Sequence, residues 1–274
     1  MAVVLVVGGG TMGAGIAEVL VRAGRRVVLC EIAPGAAAAA RTRVVQGLER
    51  AEQPGAAAAS EALLEVVVGI PDCPGAELAI ESVFEDAELK RAVVREIETR
   101  VPGDALVASN TSSVSIGELA GALARPERFL GMHFFNPVAR SALVELVTGP
   151  KTAPDAVDRA RQLVRVLGKE EIVVRDSPGF ATSRLGVAIG LEAIRMLEEG
   201  VASAEDIDRG MVLGYRFSMG PLRLTDLVGL DVRLAIAEYL ESKLGERFSP
   251  PKLLREKVAA GEMGKKTGRG FFTW

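Results

Sequence analysis

AVVLVVGGGTMG, residues 2–13, is the stretch of sequence that decides the fold. Residues 2–7 form an unbroken apolar run, which is typical of a parallel strand buried on both faces. Three glycines end this run, and residues 11–23 then carry apolar side chains at helical spacing until Gly24. A buried strand, a glycine-rich turn and a helix in this order predict the first unit of a doubly wound α/β sheet.

The turn fits the pattern G-x-G-x-x-G at Gly8, Gly10 and Gly13. The first glycine makes the tight turn, the second lets a pyrophosphate approach the backbone, and the third lets the helix pack closely on the strand. The N-terminus of the helix offers free N–H groups and a partial positive charge to phosphates. The residues expected to bind a dinucleotide here are Gly8, Gly10, Thr11, Met12 and Gly13.

Glu31 indicates which dinucleotide is bound. It ends the second strand, residues 26–30, about 20 residues after the first glycine, where this fold places an acidic residue. A carboxylate there accepts hydrogen bonds from the adenosine ribose and repels a 2′-phosphate. No basic residue follows before Arg41. We therefore expect NAD rather than NADP as the cofactor, the alternative being that Glu31 is a surface residue at a strand end.

Strands alternate with helices as far as Asp176, which predicts a mostly parallel sheet with helices on both faces. Residues 56–68 read as a helix, with residues 65–70 as an alternative strand. Two apolar runs, residues 129–134 and 142–147, are joined by a connection too short for a crossover. They predict an antiparallel hairpin within the sheet.

The pattern changes after Asp176, because five helices follow without a convincing strand. We expect two domains. Residues 1–176 form a Rossmann-like domain that binds NAD, and residues 177–274 form an all-helical C-terminal domain.

Composition excludes several classes of protein. The chain has 33 basic and 36 acidic residues, which give no basic face for nucleic acid. No apolar run is long enough to span a membrane, and the N-terminus does not read as a secretory signal. Cys30 and Cys73 have neither disulfide nor metal-ligand spacing. We expect a cytoplasmic protein that binds neither nucleic acid, membrane nor metal.

His133 is the only histidine of the chain, and it lies near the carboxyl end of a predicted strand. If the hairpin turns at Ala139, His133 faces Glu145 on the neighbouring strand. A carboxylate in an apolar run is costly to bury unless it is paired. An imidazole beside a carboxylate suits the acceptance of a hydroxyl proton during alcohol oxidation. The alternatives are a core histidine and an outward-facing glutamate.

Residues 110–113, NTSS, also follow a predicted strand at its carboxyl end. Their hydroxyl and amide groups are expected to project into the crevice where doubly wound sheets bind ligands. Capping of the next helix explains one or two of these residues but not all four.

Together these motifs are similar to those of the L-3-hydroxyacyl-CoA dehydrogenase family, most closely its short bacterial 3-hydroxybutyryl-CoA dehydrogenase members. The resemblance covers nearly the whole chain. The matching stretches are GGGTMGAGIA (8–17), ESVFEDAELK (81–90), SNTSS (109–113), HFFNP (133–137), Glu145, DSPGF (176–180), DIDRGMVLGY (206–215), MGPLRLTDLVGL (219–230) and GKKTGRGF (264–271).

The resemblance implies the activity and the catalytic residues. The enzyme would transfer a hydride between a 3-hydroxyacyl-CoA and NAD in fatty acid metabolism, giving the 3-ketoacyl-CoA. His133 would be the general acid and base, with Glu145 as its partner. Ser112 and Asn136 match residues that bind the oxygen atoms of the substrate and hold the reacting centre.

The resemblance also assigns residues around the cofactor and a role for the second domain. Glu85 and Lys90 match residues near the ribose and the nicotinamide end of NAD. The helical domain would close over the acyl-CoA and form a homodimer.

Two departures from the family pattern bear on the substrate. Ser183 stands where the family has an asparagine that contacts the substrate, so Ser183 is expected to bind in its place. Between Glu31 and residue 89 the only basic residues are Arg41, Arg43 and Arg50, although CoA phosphates need cations. An alternative is therefore an NAD-dependent dehydrogenase of a free hydroxy acid, such as a sugar acid. A further alternative is an NAD-binding protein that has lost catalysis.

Overall fold

The structure is a computed structural model that describes residues 3–51 and 53–274. Ala2 of the predicted first strand lies outside the described residues. The chain divides into two compact units, residues 1–176 and 177–274. Among the described residues, no helix has the length and apolarity that crossing a membrane requires.

The first unit is built on one sheet of eight strands. They are β1 (Val3–Val7), β2 (Arg26–Glu31), β3 (Leu64–Val68), β4 (Ala76–Glu81), β5 (Leu106–Ser109), β6 (Phe129–Phe134), β7 (Leu143–Thr148) and β8 (Glu170–Arg175). Their spatial order is β3-β2-β1-β4-β5-β6-β7-β8. The first six strands are parallel, β7 is antiparallel to β6, and β8 is parallel to β7. The predicted mostly parallel sheet with an antiparallel hairpin is confirmed.

Helices connect the strands of this sheet. They are α1 (Thr11–Arg22), α2 (Pro34–Ala51), α3 (Pro54–Glu61), α4 (Ala87–Arg100), α5 (Ile116–Ala120) and α6 (Pro154–Val166). The helix predicted over residues 56–68 was wrong in its second half, because α3 ends at Glu61 and β3 follows. The alternative strand over residues 65–70 agrees with β3 as far as Val68. The β-branched run at 66–68 pairs in parallel with β2, and this long-range pairing overrides local helix propensity.

The second unit is helical, as predicted. Its helices are α7 (Thr182–Glu198), α8 (Ala204–Arg209), α9 (Pro221–Val228), α10 (Leu230–Leu244) and α11 (Lys252–Ala259). It has its own apolar core, which includes Val187, Leu191, Ile194, Leu222 and Leu240.

A buried carboxylate holds the C-terminal segment of the second unit. Asp226 accepts hydrogen bonds from the backbone N–H groups of Phe271 and Phe272 and from the indole N–H of Trp274. Asp226 is fully buried, so these three donors replace the hydration that the carboxylate loses. Its position on α9 gave no sign of this role in the sequence.

The register of the first unit brings four strand ends to one edge of the sheet. Val7 of β1 is level with Glu81 of β4, Glu81 with Ser109 of β5, and Ser109 with Gly131 of β6. All four strands are parallel, so the residues that follow them meet at the same edge. Ligands of doubly wound sheets bind at this edge.

Candidate active site

The glycine loop between β1 and α1 has the geometry that a dinucleotide requires. Gly8 has a φ of 98°, and a Cβ there would lie 2.5 Å from the carbonyl oxygen of Ser82. A Cβ on Gly13 would lie 1.7 Å from the carbonyl oxygen of Gly8, so only glycine allows the helix to pack this closely. A Cβ on Gly10 would meet no atom within 4 Å. Gly10 therefore borders open space, where a pyrophosphate can approach the backbone.

The N-terminus of α1 supplies hydrogen-bond donors beside this space. Gly10 is the N-cap residue, and no side chain caps the helix there. The first N–H groups of a helix have no partner within the helix, and they carry a partial positive charge. Thr11 is exposed, whereas the side chain of Met12 packs against the core. The loop thus fits a bound pyrophosphate without a basic side chain.

Glu31 lies against the same loop. Its Oε1 accepts a hydrogen bond of 2.8 Å from the backbone N–H of Gly9, and its Oε2 accepts one of 3.1 Å from the N–H of Ile32. These bonds fix the carboxylate and leave lone pairs on both oxygens for ribose hydroxyl groups. Arg43 of α2 donates to the carbonyl oxygen of Gly9 at 3.2 Å. Sequence spacing had not indicated that a guanidinium lies at this loop.

His133 and Glu145 form a buried pair across the hairpin. The register of β6 and β7 places them directly opposite each other, as predicted. Nδ1 of His133 is 2.9 Å from Oε2 of Glu145. His133 is 5% exposed and Glu145 is 0% exposed, so water screens their interaction little. When Nδ1 carries the proton, this bond fixes the tautomer and Nε2 is the basic atom of the ring.

Ser112 follows β5, the neighbour of β6, and Asn136 follows β6, the strand that carries His133. Ser112 is half-buried after β5, and Asn136 is exposed two residues after β6. Within the part of the chain that the structure describes, no protein group bonds the hydroxyl of Ser112. Asn110 joins the two strand ends, because its Oδ1 accepts a hydrogen bond of 2.9 Å from the N–H of Phe134.

Three charged side chains form a cluster at the end of β4. Nζ of Lys90 donates to Oε1 of Glu81 at 2.9 Å and to the carbonyl oxygen of Val83 at 3.3 Å, and it lies 3.2 Å from Oε2 of Glu85. The side chain of Lys90 is 1% exposed, whereas that of Glu85 is 39% exposed. Glu81 also accepts a hydrogen bond from the buried hydroxyl of Ser109. The cluster is therefore closed to solvent on the Lys90 side and open at Glu85.

The carboxylate of Glu85 accepts hydrogen bonds from the loop that follows β5. Its Oε1 accepts hydrogen bonds from the hydroxyl of Thr111 (2.6 Å), the N–H of Ser112 (2.8 Å), and the N–H and hydroxyl of Ser113 (2.8 and 2.9 Å). Burial acts to raise the pKa of Glu85, but the charge of Lys90 and these hydrogen bonds outweigh it and lower the pKa. The loop and Lys90 therefore stabilise the carboxylate form of Glu85.

Lys169 holds the connection between the two hairpin strands. Its buried ammonium group donates to the carbonyl oxygens of Val138 (2.7 Å) and Ser141 (2.5 Å). Burial lowers the pKa of Lys169. The connection carries Asn136, so Lys169 fixes the backbone on which Asn136 lies.

Asn110 was expected at this edge together with residues 111–113, whereas sequence reasoning had missed Glu81, Ser109 and Lys169 as parts of this site. Glu81 and Ser109 share a signal that was available, namely a polar residue at the carboxyl end of a strand predicted to be buried. Lys169 gave no such signal, because its partners are backbone carbonyl groups distant in sequence.

Ser183 lies in the second unit, in the first turn of α7, and is half-buried. No group of three or more potential metal ligands occurs within residues 3–51 and 53–274.

Comparisons with known proteins give the family. Residues 3–177 match the family described as 3-hydroxyacyl-CoA dehydrogenase, NAD binding domain, and residues 179–274 match the 3-hydroxyacyl-CoA dehydrogenase C-terminal domain. A 3-hydroxybutyryl-CoA dehydrogenase of Mycobacterium tuberculosis is 43% identical, over 98% of this chain and 97% of its own. A 3-hydroxyadipyl-CoA dehydrogenase of Escherichia coli is 37% identical, over 99% of this chain and 58% of its own.

A solved structure agrees with these matches. The (S)-3-hydroxybutyryl-CoA dehydrogenase of Ralstonia eutropha superimposes with a TM-score of 0.95 at 38% identity, over 100% of this chain and 99% of its own. The similarity runs through both units, and the first unit offers the glycine loop that NAD needs. The chain belongs to the 3-hydroxyacyl-CoA dehydrogenase family and is an NAD-dependent enzyme.

Proposed function

We propose that the chain oxidises the hydroxyl group of a short-chain 3-hydroxyacyl-CoA, such as 3-hydroxybutyryl-CoA, to the 3-ketoacyl-CoA, with His133 as the general acid and base. The observation that carries this proposal is the buried contact between His133 and Glu145. His133 is the only imidazole of the chain, and it lies at the edge of the sheet where the glycine loop also lies.

Oxidation removes a hydride from the carbinol carbon and a proton from its hydroxyl group. NAD supplies the hydride acceptor when it is bound. The neutral ring of His133 accepts the proton at Nε2 while its Nδ1–H donates to Glu145. The carboxylate of Glu145 stabilises the imidazolium that forms. In reduction, the same imidazolium returns its proton to the ketone oxygen.

The neighbouring residues orient the substrate and the cofactor. Ser112 and Asn136 lie after β5 and β6, from which their polar groups can bind the oxygen atoms of the reacting centre. Glu85 is the exposed member of the charged cluster and is the group available to the ribose of NAD. Lys90 is enclosed, so its part in cofactor binding goes through Glu85. A substrate contact of Ser183 remains a prediction.

The CoA ester is favoured by the relatives, whose names specify hydroxybutyryl-CoA and hydroxyadipyl-CoA. One observation favours the second candidate, a free hydroxy acid. Each basic residue of α2 is engaged within the protein, since Arg41 pairs with Glu61 at 2.6 Å, Arg43 bonds Gly9, and Arg50 bonds its own helix. None of these three cations is therefore reserved for a CoA phosphate.

We also propose a homodimer formed through the second unit, in the cytoplasm and within fatty acid metabolism. The second unit exposes many large apolar side chains, which is typical of an interaction surface. They include Leu185, Ile189, Leu213, Tyr215, Leu224, Leu227, Val228 and Val232. Sedimentation of the purified protein tests this proposal, and a monomer at micromolar concentration would contradict it.

The activity is tested by mixing the purified protein with acetoacetyl-CoA and NADH and following the absorbance of the nicotinamide. We expect turnover that is faster with NADH than with NADPH. A parallel panel compares 3-ketoacyl-CoA esters of increasing length with the corresponding free acids. Turnover of free acids alone would replace the proposed substrate class, and no turnover of any of them would contradict the proposal.

A further inference from the structure

We propose that Glu81 is a positioning residue for Ser112. It holds the segment of residues 109–113 at two points, directly at Ser109 and indirectly through Lys90 and Glu85. This inference rests on the proposed role of Ser112 in substrate binding. It adds to that role a buried charge that reaches Ser112 only through other residues and determines where Ser112 lies.

The direct contact is at the end of β5. Glu81 is level with Ser109 in the sheet, and its Oε2 accepts the hydrogen bond of the Ser109 hydroxyl. The N–H of Asn110 also donates to the backbone carbonyl oxygen of Glu81 at 2.8 Å. The segment therefore leaves the sheet from a point that Glu81 fixes.

The indirect contact is at the other end of the segment. Oε1 of Glu81 binds the ammonium of Lys90, which lies 3.2 Å from Oε2 of Glu85. Oε1 of Glu85 then accepts hydrogen bonds from both the Ser112 and the Ser113 N–H. The contacts form a closed ring, which runs from Glu81 through Ser109 along the chain and returns through Glu85 and Lys90.

The charge of Glu81 matters more than its shape in this ring. Glu81 and Lys90 are fully buried, where an unpaired charge is costly. Lys90 is shared between two carboxylates, so its position balances the attraction of both. If Glu81 loses its charge, Glu85 is the one carboxylate left to pair with Lys90, beside the carbonyl oxygen of Val83. The Glu85 carboxylate is then drawn towards Lys90 and its hold on the 111–113 loop weakens.

The first experiment needs no substrate. Glu81→Gln keeps the size of the side chain and removes its charge, and Glu88→Gln makes the same change at an exposed ion pair of α4. Hydrogen exchange measured by mass spectrometry should be about 3- to 10-fold faster for the peptide covering residues 111–114 in Glu81→Gln. The same peptide in Glu88→Gln should exchange as in the wild type. Equal exchange in Glu81→Gln and the wild type would overturn the proposal.

The second experiment is a double-mutant cycle on kcat/KM for acetoacetyl-CoA. If Glu81 acts through Ser112, Glu81→Gln lowers kcat/KM about tenfold in the wild type and by less than about threefold in Ser112→Ala. If Glu81 has a purely structural role, the fold-loss of kcat/KM in the double variant should equal the product of the fold-losses in Glu81→Gln and Ser112→Ala. Multiplying losses would overturn the proposal. Failure of the proposed function would instead show in the wild type, as absence of turnover, while the exchange experiment stays decisive.

Ser109→Ala provides the same test if Glu81→Gln does not fold. It removes the direct contact and keeps the ion pair between Glu81 and Lys90. The expected result is faster exchange of residues 111–114 and a loss of kcat/KM that does not multiply with that of Ser112→Ala. Unchanged exchange or multiplying losses in this variant would overturn the proposal as well.

Discussion

Glu145 lies directly opposite His133 in the antiparallel pair of β6 and β7, with its Oε2 2.9 Å from Nδ1 of the ring. The next strand, β8, places Ile172 level with Glu145, so an apolar neighbour flanks the carboxylate. In this apolar surrounding, water competes little with the hydrogen bond between Glu145 and His133. The bond therefore fixes the tautomer of the imidazole ring effectively.

Glu145→Gln should slow turnover while leaving cofactor binding intact. The amide cannot stabilise an imidazolium by charge, and it can present its N–H₂ group to Nδ1, which favours the wrong tautomer. We expect kcat for acetoacetyl-CoA reduction to fall between about 10² and 10⁴-fold. Glu171→Gln on β8 is the matched control and should retain wild-type kcat. A loss of less than about threefold in Glu145→Gln would contradict the assigned partnership.

Gly10→Ala should weaken cofactor binding without lowering the stability of the fold. A Cβ at residue 10 meets no protein atom within 4 Å, so the melting temperature should stay close to that of the wild type. The methyl group would occupy the space expected for the pyrophosphate, so NADH affinity should fall at least about tenfold, or ~1.4 kcal/mol. Calorimetric titration with NADH measures this loss.

Gly35→Ala supplies the control for this prediction, since residue 35 also borders open space but lies in α2. It should bind NADH as the wild type does. Unchanged NADH affinity in Gly10→Ala would show that the cofactor does not approach the loop here.

Glu31→Ala should weaken the preference for NADH over NADPH. The carboxylate repels a 2′-phosphate, whereas Arg43 at the same loop provides a cation once Glu31 is gone. We expect the ratio of kcat/KM for NADH to that for NADPH to fall by about tenfold or more, because a hydrogen bond to a charged group contributes about 1.5–3 kcal/mol. Arg43→Ala in the Glu31→Ala background should remove any gain with NADPH. An unchanged ratio in Glu31→Ala would mean that the preference arises elsewhere.

Stability should depend on Glu85 at neutral pH and not in acid. The pKa of Glu85 is lowered from its ordinary value of 4.5, after Lys90 and the hydrogen bonds from residues 111–113 overcome the effect of burial. A lowered pKa in the folded state stabilises the protein above the unfolded pKa, and this contribution is lost as the pH falls through the folded pKa. The wild type should therefore melt above Glu85→Gln near neutral pH, and the difference should shrink in acid. A difference that grows in acid would contradict the assigned ion pair.

Local patterns predicted most of the fold. The glycine loop, the hairpin register and the change from alternating strands to helices after Asp176 all follow from spacing along the chain, and the structure agrees with them. The local pattern left residues 65–68 open between helix and strand, and the preferred helix was wrong because β3 is stabilised by its pairing with β2.

The site was predicted less completely than the fold. His133 and Glu145 were paired correctly because one short hairpin determines their contact. Glu81 and Lys169 were missed because their partners lie nine or more residues away, on other elements. A sequence shows that such residues are charged, but their role depends on a burial that only the folded chain creates.

The most direct measurement is the single-turnover rate of acetoacetyl-CoA reduction by His133→Gln with saturating NADH. Glutamine keeps a polar side chain but has no group that exchanges a proton near neutral pH. If His133 transfers the proton, the rate should fall at least about 100-fold while the dissociation constant of NADH stays within about twofold of the wild type. A single-turnover rate within about threefold of the wild type would contradict the assignment of His133 as the general acid and base.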